Sequence, residues 1–126
     1  MKKEFLLRTC NKCGAMVEVL KDCTCEDGGI KCCGETMSVV KPNTVDASIE
    51  KHKPEYEVVG QYVVVTVNHE MTNEHFIEYI ALDANNVNAK KYCKIGDAPK
   101  AVFPYIPGST LYAYCNKHGV WSTEVK

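Results

Sequence analysis

From about Glu50 onward, apolar and polar residues alternate with the two-residue period of strands that bury one face. The stretch "YEVVGQYVVVTVN" reads as two strand runs broken at Gly60-Gln61, a hairpin signal. "HFIEYIALD" continues the alternation, and "NVNAKKYCKI", "KAVFPYI", "STLYAYC" and "GVWSTEV" follow as further short strands. Asn-Asn, Gly-Asp-Ala-Pro, Pro-Gly and Asn-Lys-His-Gly separate them. Seven or so short strands, with turn signals every ~8–12 residues, predict an antiparallel sandwich or barrel. No stretch holds a helical period for more than a turn, and neither an internal repeat nor a low-complexity tract is present.

The first ~38 residues follow a different rule. They hold six of the eight cysteines and few large apolar groups beyond "MVEVL". A segment so short leaves too much surface exposed to fold on its own core, and a metal staple would supply the missing stability. Residues 39–48, with "VKPNTVDAS" at Val40–Ser48, read as a linker. The expected organisation is therefore a small metal-stapled domain at 1–38, a linker at 39–48 and a β-domain at 49–126.

Composition narrows the function classes. The 126 residues carry a net charge of −1 and no lysine or arginine cluster, which points away from nucleic acid. No stretch approaches the ~20 apolar residues of a membrane span. The opening "MKKEFLLRTC" has an apolar run of only Phe5, Leu6 and Leu7, too short for the core of a secretory leader. Without a leader, cysteines favour metal ligation or redox chemistry over disulfides.

The cysteines form one candidate centre. "CNKCG" places Cys10 and Cys13 on a tight knuckle, with a glycine that frees backbone N–H groups for the sulfurs. "KCCGE" adds Cys32 and Cys33, again followed by glycine. Four thiolates make a tetrahedral site that suits zinc or iron. The adjacent pair is unusual, because neighbouring side chains diverge from one backbone turn. Cys23 and Cys25, in "DCTCEDGG", compete for ligation and read as free or accessory thiols. Cys93 reads as a small core residue.

The histidines form a second. There are four, His52, His69, His75 and His118, and all fall at element edges. Taken singly, each would be an ordinary loop or turn residue. Together, His69 and His75 flank one loop in "NHEMTNEHF", while Cys115 ends a strand and His118 follows in its turn. Five donors are too many for tetrahedral zinc. Four imidazoles in a plane with an axial thiolate would leave a sixth position open, an arrangement for catalysis on a redox metal rather than for structure.

Several motifs, in order, carry a family resemblance: "CNKCGAMVEVL", "CCGETM", "EKHKP", "HEMTNEHFIEYI", "GDAPKAVF" and "YCNKHGVW". Over essentially its whole length the sequence resembles desulfoferrodoxin, the two-iron form of superoxide reductase. The resemblance implies a mainly β protein, with a small desulforedoxin-like domain before an immunoglobulin-like antiparallel β-sandwich. It implies two iron ions per chain. Cys10, Cys13, Cys32 and Cys33 match the family's Fe(Cys)4 centre, and His52, His69, His75, His118 and Cys115 match its Fe(His)4(Cys) centre. Glu50 and Lys51 match a loop in which the glutamate can occupy the sixth position of ferric iron and the lysine assists the reaction. The family reduces superoxide to hydrogen peroxide, takes electrons from rubredoxin-like donors, forms homodimers and works in the cytoplasm of anaerobes or microaerophiles. Two rivals predict different metal contents: a rubredoxin-like carrier using only the first centre, and a zinc-stapled binding module.

Overall fold

The computed structural model describes residues 6–26, 29–43 and 52–126, and all regular structure among them is strand. No helix among the described residues is long and apolar enough to cross a membrane. The chain divides into two compact units, one within Glu4–Lys41 and the other within Pro42–Lys126.

The first unit is built from very short strands. β1 (Leu7–Thr9), β2 (Met16–Glu18) and β5 (Ser38–Val39) form a sheet in the order β2-β1-β5. β3 (Lys31–Cys32) and β4 (Glu35–Thr36) form a separate two-stranded ribbon. The buried apolar side chains here are Leu7, Cys10, Val19 and Met37. That is a meagre core, as expected for a segment that relies on a staple. The sheet continues through Val39, and the Val40 N–H donates to the Leu7 carbonyl. The division between units thus falls a few residues beyond position 38, because β5 must reach back to pair with β1.

The second unit contains seven strands. β6 (Glu55–Val59), β7 (Tyr62–Thr66) and β10 (Lys100–Pro104) form a sheet in the order β10-β7-β6. β8 (Ile77–Asp83), β9 (Asn88–Tyr92), β11 (Thr110–Cys115) and β12 (Gly119–Glu124) form the other, in the order β12-β11-β8-β9. Every pairing is antiparallel. Val63 and Val65 of β7, Ala101 and Phe103 of β10, Ile80 and Leu82 of β8, and Leu111 and Ala113 of β11 share one core. Each large apolar side chain so buried contributes about 1.5–3 kcal/mol relative to exposure. The result is a β-sandwich.

One strand departs from its sequence pattern. β8 was expected to alternate, yet Glu78 is its only exposed residue. β8 lies between β11 and β9, so neither edge is free. On its outer face Tyr79 is covered by Tyr92 and Tyr114, with ring centroids 5.9 and 5.8 Å away. Aromatic neighbours on adjoining strands bury a face that period-2 patterning assigns to solvent.

The registers gather strand ends within each sheet. Glu55 opposes Thr66, and Lys100 opposes Thr66 from the other side, so β6 and β10 begin where β7 ends. In the second sheet Cys115 opposes Ile77 and Gly119, so β11 ends where β8 and β12 begin. A register shift between Tyr114 and Cys115 sets the thiol's final position.

Candidate metal centres

The first centre lies on two turns. In Cys10–Gly14 the Cys10 N–H donates to the Ala15 carbonyl at 2.8 Å, and the Gly14 N–H donates to the Cys10 carbonyl at 3.0 Å. Gly14 sits at φ 78°, a conformation that glycine adopts without steric cost. The Cys13 N–H points at Cys10 Sγ, 3.5 Å away. The second turn explains the adjacent pair. Cys33 takes φ 53°, in the left-handed region, at a cost of about 1–2 kcal/mol. This swings consecutive side chains to the same side, with Cys32 Sγ and Cys33 Sγ 3.9 Å apart.

All four sulfurs lie within 4.8 Å of one another, and Cys13 Sγ is 3.7 Å from Cys32 Sγ. Sulfurs about 2.3 Å from a tetrahedral ion would be about 3.8 Å apart, so the set fits a four-thiolate metal. Its electrostatics ask for a cation. The Cys13 and Lys12 N–H groups lower Cys10 to about 7. Hydrogen bonding among the crowded thiols, first with Cys13, pushes Cys32 up to about 12 and raises Cys33 as well. A metal binds the thiolate form, so an ion taken up here would displace the thiol protons. Cys23 and Cys25 are exposed and stand outside this group. Cys93 is half-buried against the sandwich core, and burial raises its pKa.

The second centre occupies the converged strand ends. His52 precedes β6, His69 and His75 lie between β7 and β8, Cys115 closes β11, and His118 sits in the β11–β12 turn. The imidazoles form a closed ring in the order His52, His118, His75, His69. Neighbouring ring centroids are 4.7, 5.0, 4.3 and 4.9 Å apart, whereas His52 and His75, across the ring, are 6.0 Å apart. Neighbouring ring planes stand at 70–86° to one another.

The nitrogens turned inward form a connected run, and those of His52, His75 and His118 lie with Cys115 Sγ within 4.8 Å of one another. His52 Nε2 is 2.9 Å from His118 Nδ1, which is 3.2 Å from His75 Nε2, which is 3.1 Å from His69 Nε2. A square of nitrogens about 2.1 Å from a central metal has an edge of about 3.0 Å. Three histidines therefore present Nε2, and His118 presents Nδ1. Cys115 Sγ lies 3.4 Å from His69 Nε2 and 3.7 Å from His118 Nδ1, and the residue is wholly buried. A hollow of about 530 Å³ opens at His52, Asn68, His69, Glu70 and His75, and Cys115 does not line it. The donor set thus has a buried sulfur and a solvent-facing side, and it fits a five-ligand metal with one position left for a small molecule.

Neighbouring groups prepare the rings. Burial first, and then the nearby imidazoles, lower the pKa of His69 and of His118, which favours the neutral form a metal requires. The His69 Nδ1–H is held by the Glu70 carbonyl at 2.5 Å, and the His75 Nδ1–H by Glu70 Oε1 at 2.6 Å. The hydrogen bond from His75 lowers the pKa of Glu70. Trp121 stacks on His52 at 5.1 Å and 26°, and its Nε1–H donates to the His118 carbonyl at 3.1 Å. Asn116 binds the histidine loop at both ends of its amide. Its Oδ1 accepts from the Phe76 N–H at 2.9 Å, and its Nδ2 donates to the Glu74 carbonyl at 3.0 Å.

Eight of the nine expected ligand residues fall into two groups, Cys10, Cys13, Cys32 and Cys33, and His52, His75, Cys115 and His118. His69 stands beside the second through His75 and Cys115, and Glu50 and Lys51 lie outside the described residues. Glu70, Asn116 and Trp121 were not legible as site residues. Their roles depend on partners in space, and the positional hints were Glu70 beside His69 and Asn116 beside Cys115.

Comparison with known proteins agrees with this geometry. A desulfoferrodoxin from Syntrophotalea carbinolica is 39% identical over 98% of this chain and 99% of its own length. The crystal structure of the superoxide reductase from Treponema pallidum superposes with a TM-score of 0.72 at 29% identity, covering 97% of this chain and 100% of that one. A one-iron superoxide reductase from Giardia intestinalis matches at a TM-score of 0.52 and 30% identity, covering 59% of this chain and 95% of that one. The desulfoferrodoxin family profile spans residues 44–124, which include the four histidines and Cys115. With the four-sulfur cluster ahead of it, the chain belongs to the desulfoferrodoxin family.

Proposed function

We propose that this protein is a superoxide reductase, carrying one iron at Cys10, Cys13, Cys32 and Cys33 and a second, catalytic iron at His52, His69, His75, His118 and Cys115. The observation that carries the reading is the convergence of four imidazoles on a buried cysteine, with an open hollow beside the rings. Iron bound there would supply the single electron that, with two protons, converts superoxide to hydrogen peroxide.

The chain's own residues account for the rest. Cys115, shielded from water, offers an electron-rich sulfur whose charge is little screened. Glu70, Trp121 and Asn116 hold the rings and their loop in place, so little reorganisation is needed during the reaction. The hollow admits a small anion from solvent. Lys51, beside His52 in sequence, is proposed to raise the local concentration of superoxide and its rate of arrival. Glu50, being negative, is assigned to the oxidised centre after turnover. The first ~38 residues are proposed as a desulforedoxin-like domain, and the sandwich as the reductase domain. A rubredoxin-like donor, a homodimer, a cytoplasmic location and a role in superoxide detoxification complete the proposal.

Iron content and the visible spectrum test it first. Two irons per chain, with a thiolate-to-iron band that responds to superoxide, are expected. One iron confined to the sulfur centre favours a simple electron carrier, and zinc alone favours a binding module. Lys51→Ala should then lower the second-order rate with superoxide and flatten its salt dependence. An unchanged rate in pulse radiolysis removes Lys51 from the mechanism.

A further inference from the structure

We propose that Glu70 is a positioning residue that sets two imidazoles of the histidine centre at once, through its backbone for His69 and through its carboxylate for His75. The inference rests on reading that cluster as a metal centre.

The geometry is specific. An imidazole has two nitrogens, and the one that donates a hydrogen bond is not the one that binds a metal. The Glu70 carbonyl accepts from His69 Nδ1, and Glu70 Oε1 accepts from His75 Nδ1. Both rings are thereby locked in the tautomer that leaves Nε2 free. Those two Nε2 atoms lie 3.1 Å apart. A neutral carbonyl on one ring and a carboxylate on the other make the two imidazoles unequal. The carboxylate should draw the His75 proton toward itself and make Nε2 the stronger donor, which stabilises the more highly charged state of a bound metal. The backbone interaction survives any substitution at position 70, so side-chain variants isolate the effect on His75.

Glu70 is also placed so that it can be changed without harm to the core. Its side chain is 57% exposed, and it lines the hollow rather than the packed interior. Its loss removes an acceptor without opening a cavity.

The test compares Glu70→Ala and Glu70→Gln with the unchanged protein in the iron-loaded form. Two readouts do not involve superoxide: transfer of ferrous iron to a competing chelator, and the midpoint potential followed by the visible band of each centre. Removing such an outer partner typically weakens metal binding by about 10–100-fold. Glu70→Ala should show that loss at the histidine centre, together with a raised potential, while the sulfur centre keeps its spectrum and potential. Glu70→Gln retains an acceptor without the charge, so it should restore most of the affinity while its potential stays raised. Unchanged affinity and potential in Glu70→Ala overturn the proposal. So does an equal loss of iron from both centres, which marks a general defect. If these shifts occur but the unchanged protein does not consume superoxide, the assigned reaction fails and the role of Glu70 stands.

Discussion

Trp121→Phe tests whether the second centre is held from behind by packing or only by its ligands. Trp121 is 2% exposed and touches two ligand residues by different means. Its ring stacks on His52, and its Nε1–H donates to the His118 carbonyl. Phenylalanine keeps an aromatic face against His52 but removes the donor, leaving a half-buried carbonyl without that partner. The loss of a neutral hydrogen bond of this kind costs about 1–2 kcal/mol. In a unit of this size each kcal/mol moves the melting temperature by about 4–8 °C, so the metal-free variant should melt about 4–16 °C lower. Trp121→Ala also loses the stack and leaves a cavity, at a total cost of about 3–5 kcal/mol. That is a large part of the roughly 5–15 kcal/mol that stabilises a typical domain. Thermal unfolding of the two metal-free variants, with iron content after reloading, measures both effects. The reasoning is wrong if Trp121→Phe melts with the unchanged protein, or if it falls as far as Trp121→Ala.

Asn116→Ala should destabilise the second unit by about 1–3 kcal/mol in denaturant titration and slow iron uptake at the histidine centre, because the Phe76 N–H and the Glu74 carbonyl both lose their amide partner. An unaltered midpoint would show that the histidine loop holds its shape without that tie. Cys13→Ser should abolish the spectrum of the sulfur centre and make the first unit sensitive to protease, since few buried apolar residues support it. The pre-reduced variant should still react with superoxide, and loss of that single turnover would make the sulfur centre essential to the chemistry. In the metal-free protein His69 and His118 lie below the ordinary 6.5, so as pH falls through that value the unfolded chain binds protons first. Stability should therefore decline from there downward and be unaffected by these groups above it. Urea unfolding at pH 5 and pH 8 checks the sign, and equal or greater stability at pH 5 contradicts it.

Much of the β-domain was legible because its signals are local. The Gly60-Gln61 break, the Pro-Gly turn and the period of "STLYAYC" each act within a few residues, and β6, β7 and β11 follow them. The ligand residues were legible because two cysteine pairs are each followed by glycine and the four histidines sit at element edges. What stayed hidden was set by neighbours distant in sequence. Burial of β8 on both faces depends on Tyr92 and Tyr114. The fit of Cys32 beside Cys33 depends on a left-handed backbone at a non-glycine residue, which composition does not announce. Glu70, Asn116 and Trp121 belong to residue types that usually have bland roles, and only the closed sandwich gives them ligands to hold.

The order of the donors along the chain has a consequence for how the protein is assembled. Cys115 and His118 arrive together on one hairpin, and His69 and His75 arrive together on one loop, so each pair forms at a small cost in loop closure. His52 stands 66 residues from His118 and comes from the opposite sheet. An ion captured by the two local pairs and then by His52 closes a long loop and fastens one sheet to the other at a single end. The far end is tied by hydrogen bonds alone among the described residues, such as those from the Tyr105 hydroxyl to the Lys126 carbonyl and from the Lys126 N–H to the Tyr56 hydroxyl. Metal removal should therefore open the sandwich from the histidine end, and amide exchange should quicken first at His52, Phe76 and His118, as in a purse that opens at its clasp.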